Sequence, residues 1–264
     1  MAPAEGGSDP ANMASSPSCW LLVHELGDSG AAPLAASLQA LARPQGIAVQ
    51  AMTTQMLLTL TRWQLSVQTS GMSCTLSTPH LNLFAGAQPD RPQAPTASQR
   101  LSAVIHRCTA VGLTHRVADA EYKSAEWTAL LQAWLHGLPC PVLNRPRCQH
   151  SSLEGPSMAR SRQAAARSGL PIIESANPAL PCISLQCLVI GEHCFDRGGQ
   201  QFQPVQARAL VDATQTLGYD LLAWSGRAEG GGRWRVSHAL PNPDLREFGP
   251  GALKGLTGWL AASA

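Results

Sequence analysis

The chain is poor in charge. Asp, Glu, Lys and Arg make up 14% of its 264 residues, and lysine occurs only at Lys123 and Lys254. The formal net charge is +2, with no run of Lys or Arg anywhere. That removes the basic footprint of a nucleic-acid-binding domain. No stretch approaches the ~20 apolar residues of a membrane span, so no membrane partner is expected. The first 18 residues, MAPAEGGSDPANMASSPS, hold neither an apolar run nor a basic flank. They read as a disordered leader and not as a signal peptide. A cytoplasmic location follows as the expectation, and the Ala-, Gly- and Pro-rich composition suits a bacterial protein.

Chemistry-bearing motifs are also scarce. The eight cysteines (19, 74, 108, 140, 148, 182, 187 and 194) form no CxxC pair. There is no H-E-x-x-H, no G-x-S-x-G and no cysteine-nucleophile signature. Gly27-Asp28-Ser29-Gly30 lacks the G-x-G-x-x-G spacing that cradles a dinucleotide and reads as a connecting turn. Cys182, Cys187, His193 and Cys194 are the least implausible metal ligands. Cys19, Cys140 and Cys187 lie in apolar strand-like runs, where a thiol behaves as a small hydrophobe, so buried free thiols are the expectation.

What remains is well ordered. Cys19–His24 is a continuous apolar run of strand length, as a parallel strand covered on both faces requires. Leu34, Leu38 and Leu41 recur at helical spacing, and Gly46 stops that helix before Ile47-Ala48-Val49, giving a βαβ opening. "QLSVQTSG" and "SCTLST" form a hairpin, "AGAQPDRPQAPTASQ" a Pro-rich loop, and "RLSAVIHRCTAV" a further strand. In "DAEYKSAEWTALLQAWLHGLP", Asp119 can cap a helix whose apolar stripe is Trp127, Leu130, Leu131, Trp134 and Leu135. "CPVLN" follows as a strand.

The second half is smaller. It opens with helix "PSMARSRQAAARSG" and a short strand at Pro171–Glu174. A hairpin of Leu185–Val189 and His193–Phe195 follows, then helix "QPVQARALVDATQTLG". A glycine-rich hairpin in "YDLLAWSGRAEGGGRWRVSHALP" and a terminal helix, "PGALKGLTGWLAAS", close the chain. The expected organisation is a leader (1–18), a Rossmann-like α/β domain (19–150) and a small α+β domain (151–264).

The order strand–VLNRP–polar loop–helix–GLP–strand, with Asn144-Arg145-Pro146 and Gly169-Leu170-Pro171, resembles a junction in the ATP-grasp ligases. The relatives are the ribosomal-protein-glutamate ligases and the ligases that close macrocycles in ribosomally made peptides. The final hairpin, "LGYDLLAWSGRAEGGGRWRVSHALPNPDL", is similar to theirs as well. The resemblance implies a Rossmann-like layer leading into an ATP-binding domain, here truncated to a small α+β unit. It also carries three departures. The helix after Asn144 bears Arg160, Arg162 and Arg167 but no lysine. Only about 30 residues separate Pro171 from the helix at Pro204, where the family's central ATP-binding lobe belongs. Ser237-His238-Ala239 stands where the family's closing Glu-x-Asn holds magnesium. Asp220 aligns loosely with the hairpin's first carboxylate.

Phosphoryl transfer needs fixed positive charge at the transferring group, and magnesium needs hard oxygen ligands. The resemblance with these departures therefore implies a non-catalytic accessory protein that binds a protein or peptide partner, with no cofactor. An active ATP- and magnesium-dependent carboxylate–amine ligase is the alternative, and a homo-oligomer stays open. His24 and Glu25, at the end of the first strand, occupy the place where α/β sheets bind ligands. Asn144-Arg145 reads either as an anion grip by the arginine fork or as a turn, with Arg145 paired to Glu121 or Glu126. Arg160 and Asp220 complete the ligand candidates. Trp127 and Trp134 read as core or, if exposed, as partner anchors.

Overall fold

The structure is a computed structural model, and it describes residues 16–59, 61–68, 71–86, 98–108, 119–146, 155–173, 184–197, 203–229 and 233–263. Its centre is β1 (Ser18–His24), apolar at every inner position because both neighbours and both faces are occupied. Strand β2 (Ala48–Thr53) lies parallel on one side and β6 (Ser98–Arg107) parallel on the other. Helix α1 (Ala31–Ala42) makes the first crossover, buried through Ala31, Leu34, Leu38 and Ala42, and Gly46 ends the following 3-10 turn at φ 70°.

Strand β6 carries two partners along one edge. β5 (Asn82–Ala85) pairs its first residues and the two-residue β7 (Val142–Leu143) its middle. From β5 the sheet continues antiparallel through β4 (Gly71–Ser77) to β3 (Arg62–Gln68), in the order β2-β1-β6-β5-β4-β3. A second, four-stranded sheet runs β11 (Arg233–Leu240), β10 (Leu221–Glu229), β8 (Ser184–Ile190) and β9 (His193–Asp196), all antiparallel. The expected mixed α/β layer followed by a small α+β unit is what forms.

Alternation along β1 divides the first core. Cys19, Leu21 and Val23 face α3 (Ala120–Gly137) and the short α2 (Thr54–Thr59); Trp20 and Leu22 face α1. The α1 side is shared with the second unit. Leu188, Ile190, Leu221 and Ala223 of the small sheet, and α6 (Gly249–Ala262), pack there against Leu143 and Ile105. The other face of the small sheet is covered by α4 (Met158–Arg167) and α5 (Pro204–Leu217) around Trp224 and Trp234. A common apolar layer thus cements the two units, and it fixes how they meet.

Some details differ from expectation. Asp119 does not cap α3 with its side chain; it sits at φ 62°, in the left-handed region. Ser98 and Gln99 belong to β6 and not to the preceding loop. Of the strand expected at Pro171–Glu174, the described residues 171–173 contribute a bridge from Ile172 to Val236, and Glu174 lies outside them. The leader up to residue 15, most of the Pro-rich loop and Cys182 lie outside the described residues. No described helix is long and apolar enough to cross a membrane.

Candidate functional site

The register of the parallel strands brings their C-terminal ends together: Val23 opposite His106, His24 opposite Arg107, and Leu143 opposite Ile105. His24, Glu25, His106, Arg107, Asn144 and Arg145 therefore gather at one edge, the ligand edge of an open α/β sheet. Here the chain fills that edge itself.

Asn144 is buried and left-handed, at φ 53°. Its Nδ2 donates to the Leu221 carbonyl at 2.8 Å. Its Oδ1 accepts from the amides of Leu221 at 2.8 Å and Asp220 at 3.0 Å. A side-chain amide thus imitates a strand neighbour for the start of β10. The Asn144 carbonyl accepts from His106 Nε2 at 2.8 Å, which assigns the imidazole proton to that nitrogen.

Arg145 turns the other way. Nη1 donates to the carbonyls of Leu135, His136 and Leu138, and Nη2 to that of Cys140. These include the last carbonyls of α3, which have no helical partner of their own. The guanidinium is committed to backbone and forms no ion pair with Glu121 or Glu126, which corrects that expectation.

Arg107 is the functional-type residue that sequence reasoning passed over. Its Nε meets Asp28 Oδ2 at 2.8 Å, and its Nη1 donates to Pro243 O at 2.9 Å, with both side chains under 20% exposed. Burial works to raise the Asp28 carboxyl, but the Arg107 hydrogen bond and charge prevail and hold it below the usual carboxylate range. The β1–α1 turn, the end of β6 and the segment after β11 are thereby tied at one point. The only sequence signal was an arginine directly after the strand-end His106.

His106 carries a pH prediction. Burial holds its imidazole below its ordinary value near 6.5, against the opposing bond to Asn144. In the unfolded chain it protonates near 6.5, while folded it stays neutral to lower pH, so the unfolded state binds more protons. Its contribution is complete above about pH 6.5 and is lost as pH falls below that. Urea midpoints measured from pH 7.5 to 5 are expected to fall with acid, with a shallower slope in His106→Gln. Identical slopes would refute it.

The remaining candidates are scattered. Trp134 is 1% exposed, its ring edge-on to Trp63 at 5.1 Å and its Nε1 donating to Cys74 Sγ, so it presents no surface to a partner. Trp127 is half-buried on the same core. Asp220 is half-buried, its amide held by Asn144 and its carbonyl by Gly191. Arg160 lies exposed on α4, near enough to Tyr219 to oppose the rise that burial gives that phenol.

Among the described residues the cysteine–histidine set is not assembled, and Cys182 lies outside them. Cys187 and Cys194 share the α5 side of the small sheet, whereas His193 is exposed and lies beside Phe195, on the other face of β9. The hydrogen bond between Cys187 and Cys194, together with burial, pushes Cys187 up, and the same bond pulls Cys194 down against its own burial. Burial raises Cys19 and Cys108 to about 12 and Cys74 and Cys140 to about 11, as expected of inert core thiols. A cavity of about 330 Å³ opens at the opposite end of the strands, between Ser18, Gly86, Arg100, Ser102 and Cys140, and holds none of the predicted site residues.

The strand that would close a magnesium site offers a hydroxyl and an imidazole. Ser237 Oγ donates to Ser225 O at 2.9 Å and accepts from His238 Nδ1 at 2.8 Å, while Arg162 Nε donates to Ser237 O. Magnesium demands hard oxygens in near-octahedral array, and this donor set does not fit it. Among the described residues no three His, Cys, Asp or Glu converge.

Neither a family model nor a curated protein sequence matches the chain. Solved structures do. The macrocyclase MdnC from Microcystis aeruginosa MRC, solved with precursor peptide MdnA, superposes with a TM-score of 0.66 at 12% identity, over 93% of this chain and 100% of that one. A Chryseobacterium gregarium RiPP-associated ATP-grasp ligase, in complex with ADP and a leader and core peptide, gives 0.63 at 10% identity, over 94% and 97%. The ATP-grasp ligase PsnB, complexed with a minimal precursor, gives 0.63 at 14% identity, over 94% and 100%. The chain has the fold of these ATP-grasp ligases, an ATP-grasp-like frame.

Proposed function

We propose that this chain is a non-catalytic protein on an ATP-grasp frame, one that binds a protein or peptide partner and assists a modifying enzyme. One observation carries the reading: Asn144, Arg145 and Arg107 at the strand-end edge are spent on the chain's own groups. Asn144 holds Leu221 and Asp220, Arg145 holds four carbonyls, and Arg107 holds Asp28 and Pro243. A ligand gripped there would have to displace these bonds, of which those of Asn144 and the Arg107–Pro243 bond join the two units. Peptide as the partner class draws support from the fold neighbours solved with precursor peptides. A cytoplasmic location and no nucleic-acid partner belong to the same proposal, supported by the small net charge.

The alternative is an active ATP-dependent carboxylate–amine ligase acting on a peptide or amino acid. It is favoured by a neighbour of the same fold in complex with ADP and peptide. Isothermal titration of the full chain with ATP and magnesium separates the two. The accessory reading expects no magnesium-dependent binding tighter than about 1 mM, a free energy near −4 kcal/mol. Tighter binding, with ADP release on adding peptide that Arg160→Ala or Asp220→Ala abolishes, overturns it.

A further inference from the structure

Two strands share one edge of β6, and they do not meet. β5 pairs that edge through Arg100, and β7 takes it up again at Val104, which leaves residues 101–103 without a described strand on that side. Pro141, just before β7, has no N–H with which to carry the ladder back. The cavity of about 330 Å³ opens in this gap, between Gly86 just after β5, Arg100–Ser102 of β6 and Pro139–Pro141. Its size is that of a small-ligand pocket. The walls are held from behind. Arg145 grips the carbonyls of Leu138 and Cys140, Val104 N donates to Pro141 O at 2.9 Å, and Ser102 Oγ donates to Cys19 O at 3.1 Å.

The lining has a single charge. Arg100 is exposed at the rim, and its guanidinium has no hydrogen bond or ion pair among the described residues. Its charge reaches Cys140, where it opposes the rise that burial gives that thiol. No Asp or Glu lines the cavity. Ser18 adds a hydroxyl that bonds to nothing else among the described residues, while Leu101, Cys140 and the two prolines supply apolar wall. One cation, one available hydroxyl and an apolar floor match a monoanion with a hydrocarbon body. A phosphate dianion would be left half neutralised, and a cation would be repelled. We infer that the gap between β5 and β7 binds a small carboxylate, a free acid or the C-terminal end of a peptide, through the fork of Arg100. The site lies at the far end of the strands from Asn144 and does not depend on the function proposed above.

Isothermal titration of the full chain with isovalerate and with N-acetyl-leucine probes the two sources. At least one acid should bind with a dissociation constant of about 0.1–1 mM, ordinary for a ligand of so few atoms. Its amide, isovaleramide or N-acetyl-leucinamide, keeps the shape without the charge and should bind at least about tenfold more weakly. Arg100→Gln should bring the acid down to the level of its amide. Arg100→Lys, which keeps the charge and loses the fork, should fall between. Arg167→Gln, at an exposed arginine on α4, should change nothing. The parent chain gives a test free of variants: in amide-resolved NMR spectra, Gly86, Leu101, Ser102 and Cys140 should shift as the acid is added. Both acids binding more weakly than about 1 mM, an amide equal to its acid, indifference to Arg100→Gln, equal loss from Arg167→Gln, or shifts confined to other residues would each overturn the inference.

Discussion

Asn144→Ala is expected to cost about 3–5 kcal/mol of folding stability, a large share of the 5–15 kcal/mol typical of a folded chain. The substitution strips the acceptor from two amides and the donor from the Leu221 carbonyl, with both Leu221 groups buried and the Asp220 amide partly so. Each orphaned buried group forfeits about 1–3 kcal/mol. Alanine at φ 53° adds roughly 1–2 kcal/mol of left-handed strain that asparagine tolerates better. Asn144→Gly removes the strain and loses the same bonds, so it should recover about 1 kcal/mol over the alanine variant. Urea unfolding reads all three chains. A ligand grip at this residue would give the opposite pattern, with stability kept and peptide binding lost. An alanine variant within about 1 kcal/mol of the parent would mean that water replaces the amide, and the junction would be no clamp.

The same residues show what the sequence discloses and what it withholds. Local periodicity sufficed for β1, α1, α3, α5, α6 and the three hairpins, since their signals lie within themselves. It failed for α2 (Thr54–Thr59) and β5 (Asn82–Ala85), which are too short to develop a period and exist because neighbours accept them. The place of Asn144 and Arg145 at a strand end was legible; their purpose was not. Their partners are backbone carbonyls and amides, which every residue carries alike, and Leu221 lies 77 positions away. Arg107 and Asp28, 79 positions apart, were equally silent, because neither sits in a motif and only the strand register brings them together. For His193 and Cys194, alternation along a strand separates neighbours in sequence onto opposite faces, which defeats a metal reading drawn from spacing alone.

Gly226→Ala is expected to cost about 3 kcal/mol or more, at the upper end of what over-packing a core exacts. The β10–β11 register shifts between Ser225 and Gly226, and the strands close in at the glycine. A methyl there would stand 2.2 Å from the Arg235 carbonyl oxygen and 2.6 Å from the indole of Trp234, itself 2% exposed. The nearest obstacle is backbone of the paired strand, so no rotamer change relieves it. Retreat would pull Trp234 from the layer it shares with Trp224 and Val236. Gly258 supplies the contrast: it lies exposed in α6 with nothing within 4 Å of an added Cβ. Alanine there should stabilise by about 0.5–1 kcal/mol through helix propensity alone. Urea midpoints at constant slope would separate the pair by about 4 kcal/mol. If both substitutions move the midpoint little, the hairpin can slide, and its register is held by the apolar face it buries and not by the missing side chain.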